Sequence, residues 1–233
     1  MSLNTLVTGA NRGIGLEFTR QLLERGNRVI AACRKPGHAN ALDALAGEHP
    51  GRLQVVPLDV AEAASHKALI GELPLLLGDE KLDLVIQNAG VLHSGERFGH
   101  LTEANLLDSF RTNTSGPLLL TQSLAPWLAD GAKIANLSSV LGSIAGTDAF
   151  STPSYRLSKA AQNMATRLLA AALADRDISV IALHPGWVQT EMGGDGAAVS
   201  AVESASGLLK VIDGASSKDS GHFFDYQGRE VAW

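Results

Sequence analysis

Short runs rich in aliphatic and β-branched residues recur along the chain, at 3–8, 28–33, 53–58, 82–87, 133–137 and 179–183. Apolar residues fill successive positions in them rather than every second one. That pattern suits strands covered on both faces, as in a parallel sheet. The segment GHFFDY near the carboxy end adds a seventh candidate. Between these runs apolar positions return at helical spacing. A helix over 14–25 is closed by Gly26, a stop signal. A second, over 62–73, meets Pro74, which is expected to end or kink it. A third, over 102–128, contains Gly116-Pro117 and is expected to kink there. Thr152-Pro153 opens a fourth, with Thr152 as its cap, that runs to about residue 175, and a fifth covers 200–212. No linker or repeat interrupts the alternation. It predicts one domain over 1–233, an α/β fold with a doubly wound, mostly parallel seven-stranded sheet and helices on both faces.

Composition fits such a core. Of 233 residues 45% are apolar and 18% charged, with a net charge of −5, which excludes a disordered chain. There is no run of Lys or Arg, so neither nucleic acid nor a membrane surface is an expected partner. The longest uninterrupted apolar stretch, 168–174, is far short of a membrane span. The opening residues read as a strand rather than a secretory leader, and a cytoplasmic protein is expected. Cys33 is the one cysteine; it lies in an apolar run, reads as a small core residue and excludes an internal disulfide. The seven histidines show no ligand spacing, and no metal is expected.

In a doubly wound sheet, ligands sit beyond the carboxyl ends of the strands, where strand order reverses. The first run leads straight into Thr8-Gly9-Ala10-Asn11-Arg12-Gly13-Ile14-Gly15 and then a helix. Gly9 allows a tight turn, Gly13 keeps a side chain out of the path of a pyrophosphate, and Gly15 lets the helix pack closely. The helix amino end offers unpaired N–H groups to phosphate. A purely structural turn is the alternative, but placement directly after the first strand favours a dinucleotide and a Rossmann fold. At the end of the second run, an acid would bind the 2′-hydroxyl of NAD. This chain has Arg34-Lys35 there. Arg34 and Arg12 can neutralise a 2′-phosphate, which favours NADP(H) over NAD(H); the alternative is that both are solvated surface residues. Asp59-Val60 follows the third run. Its carboxylate either accepts from the adenine amino group or caps the next helix.

Tyr155 and Lys159 stand one turn apart on one face of the fourth helix. A phenol with a pKa of about 10 is a poor acid at neutral pH, and an adjacent cation lowers that value. A tuned tyrosine can protonate a carbonyl oxygen as hydride reaches carbon. Ser138-Ser139 follow the fifth run, where a hydroxyl can bond the same oxygen. Asn113 lies mid-helix, a poor position for it. Its side chain either holds a water in a proton path or marks a kink beside Gly116-Pro117.

Gly9-x3-Gly13-x-Gly15, Asn88-Ala89-Gly90, Asn113, Ser139, Tyr155-x3-Lys159 and Pro185-Gly186-x-Val188-x-Thr190 stand in the order seen in the short-chain dehydrogenase/reductase superfamily. The chain resembles that superfamily from residue 3 to its end. NLSSVLGSI and FFDYQGREVAW are similar to its C-factor and sniffer-type carbonyl reductase branch. The resemblance implies that Tyr155 is the catalytic acid/base and that Ser139 orients the carbonyl. It implies that Lys159 binds the nicotinamide ribose and lowers the Tyr155 pKa, and that Asn113 completes a water-mediated proton relay. Cofactor contacts are implied for Gly9, Asn11, Arg12, Gly13, Ile14 and Gly15, and for Asn88, Ala89 and Gly90. Pro185 and Gly186 are implied as further cofactor contacts, and Val188 and Thr190 at the nicotinamide carboxamide. The implied activity is NADP(H)-dependent reduction of a small aldehyde or ketone to an alcohol.

Three departures bear on that expectation. Gln87 stands where the family more often has Asn. The loop from Ser139 to Tyr155 is longer than usual through 146–150 and borders the substrate. The segment 191–199, within a substrate lid expected near 191–207, is short and glycine-rich and predicts an open pocket. His93 reads as a solvated loop residue or a substrate contact, His184 as structural, and Trp187 as a pocket wall or packing under the lid. A cofactor-binding regulatory or signalling protein without turnover is the alternative; it would need only the glycine turn, so Asn113, Ser139, Tyr155 and Lys159 argue for an enzyme. A nucleotide-sugar epimerase or dehydratase would need a larger region after Thr190. The Ala- and Leu-rich faces of the helices over 102–128 and 152–175 exceed what one sheet covers. In the resembling family such helices pair across a two-fold axis, and a homodimer or homotetramer is expected.

Overall fold

The computed structural model describes residues 2–194 and 196–233. Seven strands build one sheet: β1 (Asn4–Thr8), β2 (Arg28–Cys33), β3 (Leu53–Pro57), β4 (Leu82–Gln87), β5 (Leu128–Leu137), β6 (Ser179–His184) and β7 (Phe223–Asp225). Their order is β3-β2-β1-β4-β5-β6-β7. Each neighbouring pair is parallel, so the sheet is wholly parallel rather than mostly so. Thr5 of β1 faces Val29 of β2 on one side and Leu84 of β4 on the other. The chain winds outward in both directions from this central strand, and the strand order reverses between β1 and β4.

Among the described residues seven α-helices cover the sheet: α1 (Gly13–Glu24), α2 (Asn40–Glu48), α3 (Ala63–Leu77), α4 (Glu103–Phe110), α5 (Gly116–Leu124), α6 (Pro153–Ala172) and α7 (Ala201–Gly214). Successive strand residues feed opposite cores. Val7 packs with Phe18 and Leu22 of α1 and Leu208 and Ile212 of α7. Leu6 packs with Leu69 and Leu73 of α3 and Leu120 and Leu124 of α5. Burying such a side chain stabilises the fold by roughly 1.5–3 kcal/mol, which is why strands filled at every position are placed between two helical layers.

Local outcomes differ from the sequence pattern where tertiary context decides. The short helix α2, anchored by Leu42 and Leu45, was not expected. Helix α3 passes through Pro74 and stops at Gly78, whose φ is +61°. Pro74 lies on the exposed side, where water can serve the carbonyl that its ring leaves unbonded. The expected long helix over 102–128 is broken at Arg111–Ser115 by a π-turn rather than kinked at Gly116-Pro117, and Pro117 simply begins α5. Leu128 belongs to β5. Gly116 has a separate reason: a Cβ there would lie 2.4 Å from the Val60 carbonyl oxygen. Thr152 precedes α6 with a left-handed φ of 43°, and its hydroxyl caps nothing and has no partner.

Candidate active site

The turn after β1 and the end of β4 meet where the strand order reverses. The Thr8 hydroxyl accepts from the Asn88 and Ala89 N–H groups, both at 3.0 Å. The Asn88 amide donates to the Thr8 and Gly9 carbonyls at 2.9 and 3.1 Å. A Cβ on Gly9 would come within 2.9 Å of Ala89 Cα, and one on Gly15 within 2.3 Å of the Gly9 carbonyl oxygen. These glycines are required by close approach of backbone to backbone, and Gly9 also holds a φ of +64°. The amino end of α1 is left without a side-chain cap or an acidic residue in its first turn. Its N–H groups, beside Asn11, Arg12 and Ile14, therefore suit an anion. A pyrophosphate fits this cradle by both shape and charge.

The segment after Pro185 closes onto the same turn. Arg12 forms an ion pair with Glu191, and the Thr190 methyl lies 3.2 Å from the Cβ position of Gly13. Val188 bridges Val199, the Trp187 indole donates to the Gly193 carbonyl at 2.8 Å, and the Thr190 hydroxyl accepts from the Gly193 N–H at 3.1 Å. The openness expected from the segment's shortness is not seen at this end: the loop is bonded to itself and latched to Arg12. Asp195, within the expected lid, lies outside the described residues. Upstream, the Pro185 carbonyl accepts from Ser204 at 2.7 Å. Gly186 takes a φ of +85° where a Cβ would press on Tyr226. Arg34 is exposed at the end of β2. Asp59 accepts from the Ala61 N–H at 3.0 Å, a turn contact ahead of α3; it does not cap that helix, whose cap position is Glu62 without a side-chain bond. Val60 is buried and its carbonyl bonds His66.

At the end of β5 the reactive groups gather. Tyr155 and Lys159 of α6 are both buried, and Lys159 Nζ lies 5.6 Å from the centre of the Tyr155 ring. Lys159 donates to the Leu137 carbonyl at 2.7 Å and to Gln162 Oε1 at 2.9 Å. Ser139 precedes the turn Val140–Gly142; its hydroxyl accepts from the Leu141 N–H at 3.1 Å and lies near enough to the Tyr155 phenol to favour its ionised form. Gly142 is pressed on Lys159, whose Cβ would be 2.8 Å from a Cβ at that glycine. The expected lowering of the Tyr155 pKa is corrected. Burial pushes it up to about 12, against a smaller pull from the Ser139 hydroxyl. Burial also pushes Lys159 down to about 7. Desolvation disfavours each charged form.

Asn113 falls inside the π-turn, with no exposed surface. Its Oδ1 accepts from the Val91 N–H at 2.8 Å, and its Nδ2 donates to the Val91 carbonyl and the Ser158 hydroxyl, both at 2.9 Å. Both amide hydrogens are bonded within the protein, so the side chain braces the β4 loop against α6. Gly90 lies between it and Lys159; a Cβ there would be 3.2 Å from Asn113 Oδ1 and 3.8 Å from Lys159 Nζ.

Two neighbours of this centre were not anticipated. Glu96 is buried and accepts from the Ser154 N–H at 3.1 Å, the Ser154 hydroxyl at 2.7 Å and Asn105 at 3.1 Å. It caps α6 in place of Thr152, one residue before Tyr155. Burial pushes its carboxyl up, but the Ser154 and Asn105 bonds and nearby His93 outweigh that and hold it below the usual range. Gln162 holds Lys159 from the next turn of α6. His93 is tied to Asp108 at 2.9 Å. His184 accepts from the Val140 N–H at 3.2 Å, and burial drives its pKa down to about 4, in keeping with a structural role. Among the described residues no three His, Cys, Asp or Glu side chains gather as metal ligands would, and no helix is long and apolar enough to cross a membrane.

A model of the short chain dehydrogenase family matches residues 4–198. Over 154 residues the chain is 42% identical to the C-signal of Myxococcus xanthus, covering 65% of this chain and 93% of that protein. The NADPH-bound carbonyl reductase from chicken fatty liver superposes with a TM-score of 0.95 at 40% identity, over 100% of this chain and 99% of that one. The carbonyl reductase Sniffer of D. melanogaster gives a TM-score of 0.95 at 30% identity, over 100% of both chains.

Proposed function

The chain belongs to the short-chain dehydrogenase family and is an oxidoreductase, and we propose that it reduces an aldehyde or ketone to the alcohol with NADPH. One observation carries this reading: Tyr155, Ser139 and Lys159 are buried together beside an uncapped glycine turn. The turn, Asn88, Ala89, Gly90 and the segment from Pro185 to Thr190 would hold the dinucleotide, with Arg34 and Arg12 toward its 2′-phosphate. The NADPH bound to the chicken liver reductase supports the same cofactor here. When bound, that cofactor supplies the hydride.

The protein supplies the proton and the polarisation. Burial keeps Tyr155 protonated at neutral pH, the form a proton donor needs. The Ser139 hydroxyl donates to the substrate oxygen and fixes it beside the phenol. As Tyr155 gives up its proton, negative charge appears on a buried oxygen, and the Lys159 ammonium stabilises it across a short, dry path. The proton is drawn back from solvent in the next cycle. Wild-type protein oxidising NADPH across a carbonyl panel, with Tyr155→Phe inactive, would support the assignment. NADPH binding without any turnover would overturn it.

The second reading, a cofactor-binding signalling protein without turnover, draws on the likeness to C-signal. The intact Ser139, Tyr155 and Lys159 favour turnover, and the same panel separates the two.

We also propose a homodimer. Helix α6 buries Ser154, Ser158, Lys159, Gln162, Asn163 and Thr166 while Leu157, Met164 and Leu168 face outward. Leu107 and Phe110 of α4 and Leu119 of α5 are exposed as well. Large apolar side chains left exposed on α4, α5 and α6 fit a partner face.

A further inference from the structure

Lys159 is a buried cation. Among the described residues its ammonium is held by the Leu137 carbonyl from β5 and by Gln162 Oε1 from its own helix, and by no carboxylate. Gln162 is 1% exposed, and its Nε2 has no protein partner. An ammonium only donates, so Lys159 dictates which end of the amide turns toward it. The amide presents its oxygen to the lysine even though its nitrogen is left unpaired in the interior. An apolar side chain at this position would avoid that cost. Thr166 reinforces the turn by donating to the Gln162 carbonyl at 3.0 Å and accepting from Asn136 at 3.0 Å. We infer that Gln162 is a positioning residue: it holds the Lys159 ammonium beside Tyr155 and favours its charged form over the neutral amine. This rests on the proposed role of Lys159 in reduction.

Other groups around Lys159 leave that task to Gln162 and the Leu137 carbonyl. Tyr155 on the same helix titrates far higher. From β5 come the Leu137 carbonyl and the Ser139 hydroxyl, from the following turn Gly142, and from the β4 side Gly90 with Asn113. None of these carries a charge. His184, at the end of β6, is held neutral by burial. With two of its three N–H groups fixed, Lys159 keeps one for the phenol or a ribose hydroxyl.

The test titrates Lys159 itself, by NMR of lysine-labelled protein without cofactor, with the Lys159 signal identified by its loss in Lys159→Met. Gln162→Met removes the acceptor at similar shape, and Gln162→Glu supplies a carboxylate. The inference expects the Lys159 midpoint to fall by about one unit or more in the first and to rise by about one or more in the second. The alkaline limb of kcat/KM for carbonyl reduction should move in the same two directions. Midpoints unchanged in both variants would overturn the inference, even if both proteins were less stable. Should Gln162→Met fail to fold, the Gln162→Glu midpoint decides alone. Should the wild type reduce no carbonyl, the functional reading fails while the titration still decides the role of Gln162.

Discussion

Lys159 Nζ sits 5.6 Å from the centre of the Tyr155 ring, and both side chains are almost wholly withdrawn from solvent. Burial drives their pKa values apart, the phenol up to about 12 and the ammonium down to about 7. In the unliganded protein, lysine rather than tyrosine is thus the group that titrates near neutrality.

A stability prediction follows from that order. The Lys159 pKa is lower in the folded chain than in the unfolded one, so between about pH 7 and pH 10 the unfolded state binds more protons and stability rises with pH. Lys159→Met should remove this rise and stabilise the protein at pH 7 by on the order of 1–3 kcal/mol. The same change should cut kcat by about 10²-fold or more. Denaturant unfolding from pH 6 to pH 10 checks the first expectation and steady-state kinetics the second. A variant less stable than wild type at pH 7 would contradict it.

Cofactor choice rests on Arg34 and Arg12. Arg34→Ala should raise KM for NADPH by roughly ten- to a hundredfold while leaving NADH nearly unchanged, the range expected for a charge-assisted bond. Glu191→Gln should release Arg12 from its ion pair. Because that pair is exposed, its loss should lower KM for NADPH only about two- to fivefold. KM values for both cofactors with a single carbonyl substrate test these expectations together.

Glu96 fixes the start of the helix that carries Tyr155. Glu96→Ala removes its bonds to the buried Ser154, and it should destabilise the protein by about 2–3 kcal/mol. Glu96→Gln keeps an acceptor oxygen and should cost about 1 kcal/mol. Hydrogen exchange should show the first turns of α6 opening more readily in the alanine variant, with the core strands unaffected.

The outward apolar face of α6 predicts that Leu157→Glu combined with Met164→Glu yields a monomer at micromolar concentration. Wild type should sediment as a dimer or larger assembly. A wild-type monomer would remove this part of the account.

The strands were readable because burial on both faces leaves uninterrupted apolar runs, and the glycine turn because Gly9 and Gly15 answer close backbone contacts while Gly13 holds a positive φ of 55°. Tyr155, Lys159 and Ser139 were readable from spacing and placement. Other features depend on distant neighbours. Helix α2 is too short to show a period. The π-turn around Asn113 changes the hydrogen-bond step without changing composition, and the full use of the Asn113 amide depends on Val91 and Ser158. Glu96 caps a helix that begins 57 positions later, at Pro153, and no local pattern announces that. The sign of the Tyr155 shift was misread because burial, not the nearness of Lys159, decides it.

The proposed reaction is tested most directly by hydride transfer from NADPH carrying deuterium at the transferring C4 position, with one aromatic aldehyde and one ketone as acceptors. The account predicts one deuterium on the carbinol carbon of the alcohol. It also predicts that Tyr155→Phe binds NADPH as tightly as wild type while turning over roughly 10³-fold more slowly. Alcohol without deuterium, or a Tyr155→Phe protein as fast as wild type, would contradict it.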